Sequence, residues 1–378
     1  MSLSPRERRW LIGGGVLYAA VVIPIGIRKG GDLIAELGQS ERFLHGAALY
    51  THIDTFTGVP WPPASALLLV PFALVARHSA PLAKAAWVIC NVAAIGWMLV
   101  RARGWGWRRT GLALAAVANP LQSNFEHLNV NIVIAALLVA AAADLHEGRE
   151  TRAGTWVGLA AAVKAYPALL LGYFAYRRQW RALTAGVGLA AALTLVALLR
   201  YGPAGALDSA CDWLSLTTAH RWTTQSLWGF TALLGAPPAA ALALGLAGLL
   251  AAAWVFRGSF SSDRAFYEVG IVATLAVLLS PIAHLHYFVL LFPAWIAALS
   301  LPPPAGNVIL WRAALVVAGI LTSGVLHFGL YPPFLTVIET SNYTWGALLL
   351  VGLLLTRRPV EGASARLLIE RDDVKAGK

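Results

Sequence analysis

Long apolar runs separated by short polar segments make up most of this chain, from its first residues almost to its end. A helix that crosses a lipid bilayer needs roughly 20 predominantly apolar residues. The runs therefore predict an all-α membrane bundle. We predict twelve spans, at about residues 10–27, 81–101, 110–122, 130–146, 152–164, 166–177, 181–199, 237–256, 266–280, 287–301, 311–329 and 345–356.

Two apolar segments do not fit a simple series of spans. The run 64–76 has 13 residues, fewer than the roughly 17 to 25 that cross a bilayer. We interpret it as a re-entrant or surface helix in a long first outer loop, 28–80. The run 152–177 is long enough for one span, but we divide it at Lys164 to Pro167, because a proline disfavours helical geometry at the residue before it.

Composition and charge agree with a membrane protein. Apolar residues make up 58% of the chain and charged residues 12%, whereas soluble domains carry about a quarter charged residues. The net charge of +11 comes from Lys and Arg clusters between apolar runs, a pattern typical of membrane orientation and not of nucleic-acid binding. Placing these clusters in the cytoplasm predicts a single transmembrane domain, 1–356, in a bacterial plasma membrane. Both termini and the tail 357–378 are then cytoplasmic.

Five polar clusters fall at the outer ends of the predicted helices. They are Asp32 with Glu36, the segment 124–131, Lys164 to Pro167, the segment 220–226 in a second large outer loop (200–236), and Ser280 to Tyr287. Each cluster by itself fits a solvated helix end or loop. Because an ionisable group at membrane depth costs roughly 2.5 to 3.5 kcal/mol, five clusters on one face predict a single site.

Several of these residues resemble a known family of membrane enzymes. An early acid (Gly31-Asp32-Leu33), a Gly-x-x-x-Tyr at Gly46 to Tyr50 and Trp61-Pro62-Pro63 before a short helix resemble the GT-C superfamily of polyprenyl-phosphate-dependent glycosyltransferases. The motifs that follow resemble glycosyltransferase family 87, in which Gly-Gln-x-Asn, Lys-x-x-Pro, Asn-Gln-Ser and Ser-Pro-x-x-Trp-x-His-His/Tyr occur in this order. The resemblance covers about residues 10–300.

The counterparts of these motifs in this chain include three departures. They are Leu128-Asn129-Val130-Asn131, Lys164 to Pro167, Thr224-Gln225-Ser226 and Ser280 to Tyr287. Leu128-Asn129 replaces Gly-Gln, Thr224 replaces Asn, and His284 replaces Trp. His286 is therefore the counterpart of the family's first His. The resemblance implies an inverting transfer of a hexose from a polyprenyl-phosphate donor to an envelope glycolipid or glycan outside the cytoplasm. In this family the hexose is mannose.

The chemistry of such a transfer suggests roles for the outer residues. The cleavable bond of a lipid-linked sugar lies at the membrane surface, so a cavity at helix ends needs cations for the phosphate and a base for the acceptor hydroxyl. Asp32 is the candidate base. An apolar groove for the lipid tail of the donor is expected along 64–76. Lys164 is the first candidate for the phosphate, with Arg28 and Arg221 as alternates.

His286 is the second catalytic candidate and is expected to hydrogen-bond the phosphate or a sugar hydroxyl. The remaining candidates are expected to bind substrate, with Gln225 and Asn131 orienting the sugar. Tyr287, like Trp61 and Trp222, suits stacking on a sugar face.

No cofactor is expected, because the outer loops contain no Asp-x-Asp motif and the chain has no nucleotide-binding fingerprint. Two cysteines allow no disulfide framework, and no Cys/His cluster has zinc spacing. Two alternatives from other classes stay open at this point. One is a transporter or flippase for a lipid-linked saccharide, and the other is a membrane polysaccharide ligase or acyltransferase.

Overall fold

The computed structural model describes residues 4–51, 61–219, 225–304, 306–325 and 341–357. Within these ranges the chain is helical, with no β-strand, as predicted. The α-helices are α1 (Pro5–Arg28), α2 (Gly31–His45), α3 (Pro63–Leu68), α4 (Val70–His78), α5 (Ala80–Ala102), α6 (Trp107–Ala116), α7 (Ala118–His127), α8 (Asn131–His146), α9 (Glu150–Val163), α10 (Leu169–Tyr176), α11 (Trp180–Leu199), α12 (Gly202–Ala219), α13 (Leu227–Leu233), α14 (Pro238–Phe256), α15 (Ala265–Leu279), α16 (Phe292–Ser300), α17 (Val308–Ser323) and α18 (Asn342–Leu355). Single 3-10 turns at Tyr166–Ala168 and Leu285–Leu291 precede α10 and α16.

Four helices in the described part of the chain are long and apolar enough to cross a membrane. They are α1, α5 with its 3-10 extension to Trp105, α11 and α14. Four shorter apolar segments, Asn131–His146, Leu285–Ser300, Val308–Ser323 and Asn342–Leu355, also coincide with predicted spans. The eight residues of α10 extend over only about 12 Å at 1.5 Å per residue, so the total of twelve crossings stays a prediction.

Prolines divide two of the predicted apolar segments. The predicted span 110–122 is two helices that meet at Val117, because Pro120 has no N–H to donate to the carbonyl one turn earlier. The predicted helix 64–76 is likewise divided at Leu69, two residues before Pro71. The predicted loop 200–236 contains α12 and α13. The polar segment that begins at residue 124 starts inside α7, not in a loop.

Two helices form the centre of the bundle. Nearly every residue of α8 and of α15 is buried, and a helix that is apolar on all sides is stable only when other helices surround it. Helices α5 and α9 pack against α8, and α16 packs against α15. The 3-10 turn Leu285–Leu291 contacts both central helices and α7, which brings late and early parts of the chain together.

The most extensive helix–helix contact of the described elements is between α9 and α11. Small residues four apart allow it, with Gly154 and Gly158 on α9 facing Ala182 and Gly186 on α11. A Cβ atom added to Gly158 would lie 2.3 Å from the Gly186 carbonyl oxygen, and one added to Gly154 would lie 2.0 Å from that of Ala182. Small residues at such spacing let membrane helices approach backbone to backbone. This contact fixes the position of α9, whose last residue precedes Lys164.

Candidate active site

A tight turn between α1 and α2 determines where Asp32 lies. Gly30 has a positive φ of 59° and donates its backbone N–H to the Glu126 carbonyl at 2.8 Å. A Cβ atom on Gly30 would lie 2.6 Å from the Leu128 side chain, so only glycine fits this turn. Asp32, in the first turn of α2 and partly exposed, is therefore held beside the end of α7.

Lys164 lies in the predicted break between α9 and the turn Tyr166–Ala168. Its backbone is extended, with φ −141° and ψ 137°, which turns the side chain away from the helix axis. Its Nζ donates to the Tyr287 hydroxyl at 3.1 Å and lies 4.2 Å from the centre of that ring and 5.2 Å from that of Trp61. Only 5% of Lys164 is exposed, so the ammonium is removed from bulk water and packed against two aromatic faces.

A cavity of about 280 Å³ opens beside Lys164. Its walls are mostly apolar or aromatic and come from five separate parts of the chain: Trp61, Pro62, Lys164, Ala165, Tyr166, Leu169, Trp213, Thr217, Ala276, Leu279, Ser280, Pro281, Ile282 and Tyr287. Among these lining residues Lys164 is the only cation. The cavity therefore offers one buried positive charge within an apolar and aromatic wall.

His286 is buried one residue before Tyr287. Its ring centre lies 5.2 Å from that of His127 and 5.5 Å from that of His284, with which it stacks. The Asn124 side chain donates from Nδ2 to the His286 backbone carbonyl at 2.8 Å. Helix α7 therefore holds the turn that carries His286.

Asn131 begins α8 beside the same aromatic residues. Its Oδ1 accepts a hydrogen bond of 2.7 Å from the Tyr166 hydroxyl, and the Tyr166 ring lies 5.0 Å from that of Tyr287. Asn131 is fully buried, and its Nδ2 has no hydrogen-bond partner among the described residues. Because a buried donor without a partner costs free energy, this amide is suited to a ligand oxygen.

Electrostatic contacts join these residues into one group. The Asp32 and Glu36 carboxylates both lie near enough to act on the Lys164 ammonium and on the Tyr287 hydroxyl. Lys164 in turn acts on the His286 imidazole. The structure thus brings together Asp32, Lys164, His286 and Tyr287, which come from three segments of the sequence.

Among the candidates from the sequence, Lys164, Tyr287 and Trp61 line the cavity. Asp32, His286 and Asn131 do not line it, although each acts on or contacts a lining residue.

Arg28 and Gln225 are not among the lining residues either. Arg28 is exposed and makes no hydrogen bond or ion pair in the described part of the chain. Gln225 is buried beside α18, where its backbone carbonyl accepts a hydrogen bond of 2.9 Å from the Thr344 hydroxyl. Arg221 lies outside the described residues.

Other residues at the site were not among the candidates. Asn129 donates to Asp32, and Asn124 and His127 flank His286. All three occur in the polar segment 124–131. The sequence therefore indicated this segment, but it did not indicate which of its residues contacts Asp32 or His286. Trp213 had no signal, because its helix, α12, occupies a region predicted to be a loop.

No metal-ligand set stands out within the described ranges, since no group of three or more His, Cys, Asp or Glu side chains comes together there. The arrangement is instead a cavity lined by an ammonium and aromatic side chains, with a carboxylate and an imidazole near that ammonium at the ends of apolar helices. That combination is typical of an integral membrane enzyme that handles an anionic substrate at the membrane surface.

Comparison with known proteins identifies the family. The sequence pattern of glycosyltransferase family 87 matches residues 60–281, more than half of the chain. The chain belongs to glycosyltransferase family 87, and the resemblance drawn from its motifs is confirmed. It is a glycosyltransferase and an integral membrane protein.

Named relatives are mycobacterial enzymes. A polyprenol-phosphate-mannose-dependent α-(1-2)-phosphatidylinositol mannoside mannosyltransferase of Mycolicibacterium smegmatis is 28% identical over 354 residues, which cover 82% of this chain and 76% of the relative. The protein of the same name from Mycobacterium tuberculosis is 27% identical and covers 84% and 82%. A pentamannoside mannosyltransferase of M. smegmatis is 29% identical over 69% of this chain and 67% of the relative. No solved structure matches this chain.

Proposed function

We propose that the protein is an inverting hexosyltransferase that moves mannose from a polyprenyl-phosphate donor to an envelope glycolipid or glycan. The observation that carries the proposal is that the Asp32 carboxylate lies near enough to act on the Lys164 ammonium, which lines the cavity together with Tyr287. A base and a phosphate-binding cation are the two groups that this transfer requires. The names of the relatives support mannose as the sugar and a mannosylated inositol lipid as the kind of acceptor.

Asp32 is the proposed general base. Its Oδ2 accepts from Asn129, whereas Oδ1 accepts no hydrogen bond from the described residues, so one oxygen is available to the acceptor hydroxyl. As that hydroxyl oxygen attacks the anomeric carbon, its proton passes to the carboxylate and the bond between this carbon and the phosphate oxygen breaks. The electron pair leaves with the phosphate. A single displacement of this kind inverts the anomeric centre.

Lys164 is the proposed partner of the departing phosphate. The phosphate gains a second negative charge as the bond breaks, and a fixed cation in a water-poor cavity stabilises that charge without having to reorganise. Lys164 is already oriented by Tyr287 and Trp61. Because Lys164 donates to the Tyr287 oxygen, the phenol proton of Tyr287 is directed elsewhere and can reach a second phosphate oxygen.

The other candidates take supporting roles in the proposal. His286 binds the phosphate or a sugar hydroxyl, and the unpartnered Asn131 amide nitrogen takes a sugar oxygen. Gln225 is placed around the site and not in the cavity wall, because its backbone carbonyl accepts a hydrogen bond from α18. Arg28 and Arg221 remain alternates for the phosphate.

We also propose the orientation predicted from the charges. Twelve crossings place both termini in the cytoplasm of a bacterial plasma membrane and the cavity on the extracytoplasmic side. The segment of α3 and α4 then lies in the first outer loop as a re-entrant or surface element along the lipid tail of the donor. Packing of α3 against α2 and α11, beside Trp61 and Pro62 in the cavity wall, supports this placement.

Transfer of labelled mannose from polyprenyl-phosphate mannose by the purified protein tests the proposal. Asp32→Asn should lose turnover and keep donor binding, because the isosteric amide cannot accept the proton. The matched control is Glu41→Gln, an acid on the same helix that pairs with Arg77 on the surface, and it should transfer at the unmodified rate.

The test also separates the alternative classes. A flippase for a lipid-linked saccharide would move its substrate across vesicles and be indifferent to Asp32→Asn. Unimpaired transfer by the Asn variant would remove the base assignment. Lipid translocation without any sugar transfer would replace the proposed reaction by transport.

A further inference from the structure

The junction between α7 and α8 contacts Asp32 through a residue to which the mechanism assigns no role. Helix α7 ends at Leu128, which has a left-handed backbone with φ 54°. Asn129 follows, donating its backbone N–H to the Asn124 carbonyl at 3.1 Å, and only 3% of it is exposed. The left-handed residue reverses the chain and directs the Asn129 side chain toward the start of α2.

Both ends of the Asn129 amide are occupied. Its Nδ2 donates to Asp32 Oδ2 at 2.8 Å, and its Oδ1 accepts from the Val130 backbone N–H at 2.8 Å. A backbone N–H can only donate, so the atom facing Val130 must be the oxygen and the atom facing Asp32 must be the nitrogen. The amide therefore presents a fixed donor to the carboxylate.

This contact orients the carboxylate. One oxygen of Asp32 is held by Asn129, and the backbone of α2 is held by the Gly30 turn against the Glu126 carbonyl. With these two attachments, Asp32 Oδ1 is the oxygen left for a substrate.

We propose that Asn129 is a positioning residue that holds Asp32 in its reactive orientation. The inference rests on the proposed role of Asp32 as the base. Asn129 acts through Asp32 and does not contact the reacting atoms. Where the family pattern has Gln, this chain has the shorter Asn, and its length fits the 2.8 Å contacts on both sides.

The experiment compares the unmodified enzyme, Asn129→Leu, Asp32→Asn and the double variant in a single-turnover assay with labelled polyprenyl-phosphate mannose. Leucine keeps the branched shape of asparagine, is larger, and removes both side-chain hydrogen bonds. Asn129→Leu should lower kcat about 10- to 100-fold, the range expected for loss of one hydrogen bond to a charged group, and change the donor KM by less than about twofold.

The control is Asn91→Leu, which removes an equally buried amide on α5. Asn91 donates to the Trp87 carbonyl at 2.9 Å and is not part of the cavity. Asn91→Leu should leave kcat and the donor KM unchanged. If Asn129→Leu does not purify in a folded state, Asn129→Ala removes the same two bonds, and donor binding and thermal unfolding verify the fold of either variant.

The double variant decides how Asn129 acts. If Asn129 works through Asp32, its replacement has no further effect once Asp32 is Asn, and the two effects are not additive. Equal fold-changes in both backgrounds, measured on the residual rate of Asp32→Asn, or a kcat for Asn129→Leu that equals that of Asn91→Leu, overturn the positioning role while Asp32→Asn itself still lowers turnover strongly. Full activity of Asp32→Asn overturns the base assignment itself, and with it the positioning role.

Discussion

Replacing Lys164 with methionine removes the one cation among the described residues that line the cavity, and it leaves a side chain of similar length between Trp61 and Tyr287. The volume of the buried site changes little, so the main loss is the positive charge and its hydrogen bond of 3.1 Å to Tyr287. We expect the rate of sugar transfer to fall far more than the affinity for the donor.

The magnitude follows from the position of the charge. Two unit charges 4 Å apart attract each other by about 4 kcal/mol at an effective dielectric constant of about 20. Only the part of this attraction that grows as the phosphate gains its second charge lowers the barrier. Removal of one preorganised group that stabilises developing charge typically costs a factor of about 100 to 1000 in kcat, and we expect Lys164→Met to fall in that range.

Single-turnover transfer of labelled mannose, with donor binding measured on the same preparation, provides the assay. The control is Lys29→Met, which removes one positive charge from an exposed ion pair with Glu126 at 2.7 Å. Such surface pairs contribute about 0 to 1 kcal/mol, so kcat should stay within about twofold. Lys164→Met with a kcat equal to that of Lys29→Met would refute the electrostatic argument.

The remaining predictions concern packing, substrate affinity and pH. Gly158→Ala should lower stability by about 1 to 3 kcal/mol, measured by thermal unfolding in detergent, because its Cβ atom would meet the Gly186 carbonyl oxygen at 2.3 Å. Trp213→Ala, which removes part of the cavity wall, should raise the donor KM about 5- to 10-fold and leave kcat nearly unchanged in steady-state transfer, since the wall binds ground state and transition state alike. Hydrogen bonds from Arg77 hold the pKa of Glu41 below its usual value. The stabilisation from this pair is therefore present at neutral pH and lost as the pH falls through that lowered pKa, so the difference in thermal unfolding between Glu41→Gln and the unmodified protein should disappear over that range.

Matched variants check each of these expectations. Gly188→Ala, whose Cβ atom would have no heavy atom within 4 Å, should unfold like the unmodified protein, and equal melting of Gly158→Ala would contradict the packing argument. Trp180→Ala removes a tryptophan that is 57% exposed and lies outside the cavity, so its KM should not change. A kcat loss in Trp213→Ala without a KM change would place that residue in the chemistry. Arg77→Met should unfold with the same dependence on pH as Glu41→Gln.

Most helix positions were predictable, because length and apolar character suffice to define a membrane helix. The predictions 181–199 and 237–256 differ by a residue from the observed Trp180–Leu199 and Pro238–Phe256. Two divided helices were not predicted, although Pro120 and Pro71 were visible in the sequence. Apolar character continues through these prolines, so a pattern of hydrophobicity alone cannot show that a backbone hydrogen bond of the helix is missing.

The types of residue at the site were also predictable, because an ionisable group beside an apolar run needs a reason to be there. Asp32, Lys164, His286 and Tyr287 were selected in this way, and the structure places them near one another. The same reasoning selected Arg28, which is exposed, and Gln225, which is buried beside α18. The local sequence does not show in which direction a side chain points, and a side chain at a helix end can point in several directions.

By itself, the amino-acid sequence determined that this protein is a helical membrane protein, where most of its helices begin and end, and which chemical groups it carries near their ends. The tertiary structure alone decided that Asp32 meets Asn129, that Lys164 meets Tyr287, and that α12 closes one wall of the cavity. The physical reason is that these neighbours are separated by up to 123 residues. Their meeting depends on how closely whole helices approach, as α9 and α11 do where Gly158 faces Gly186.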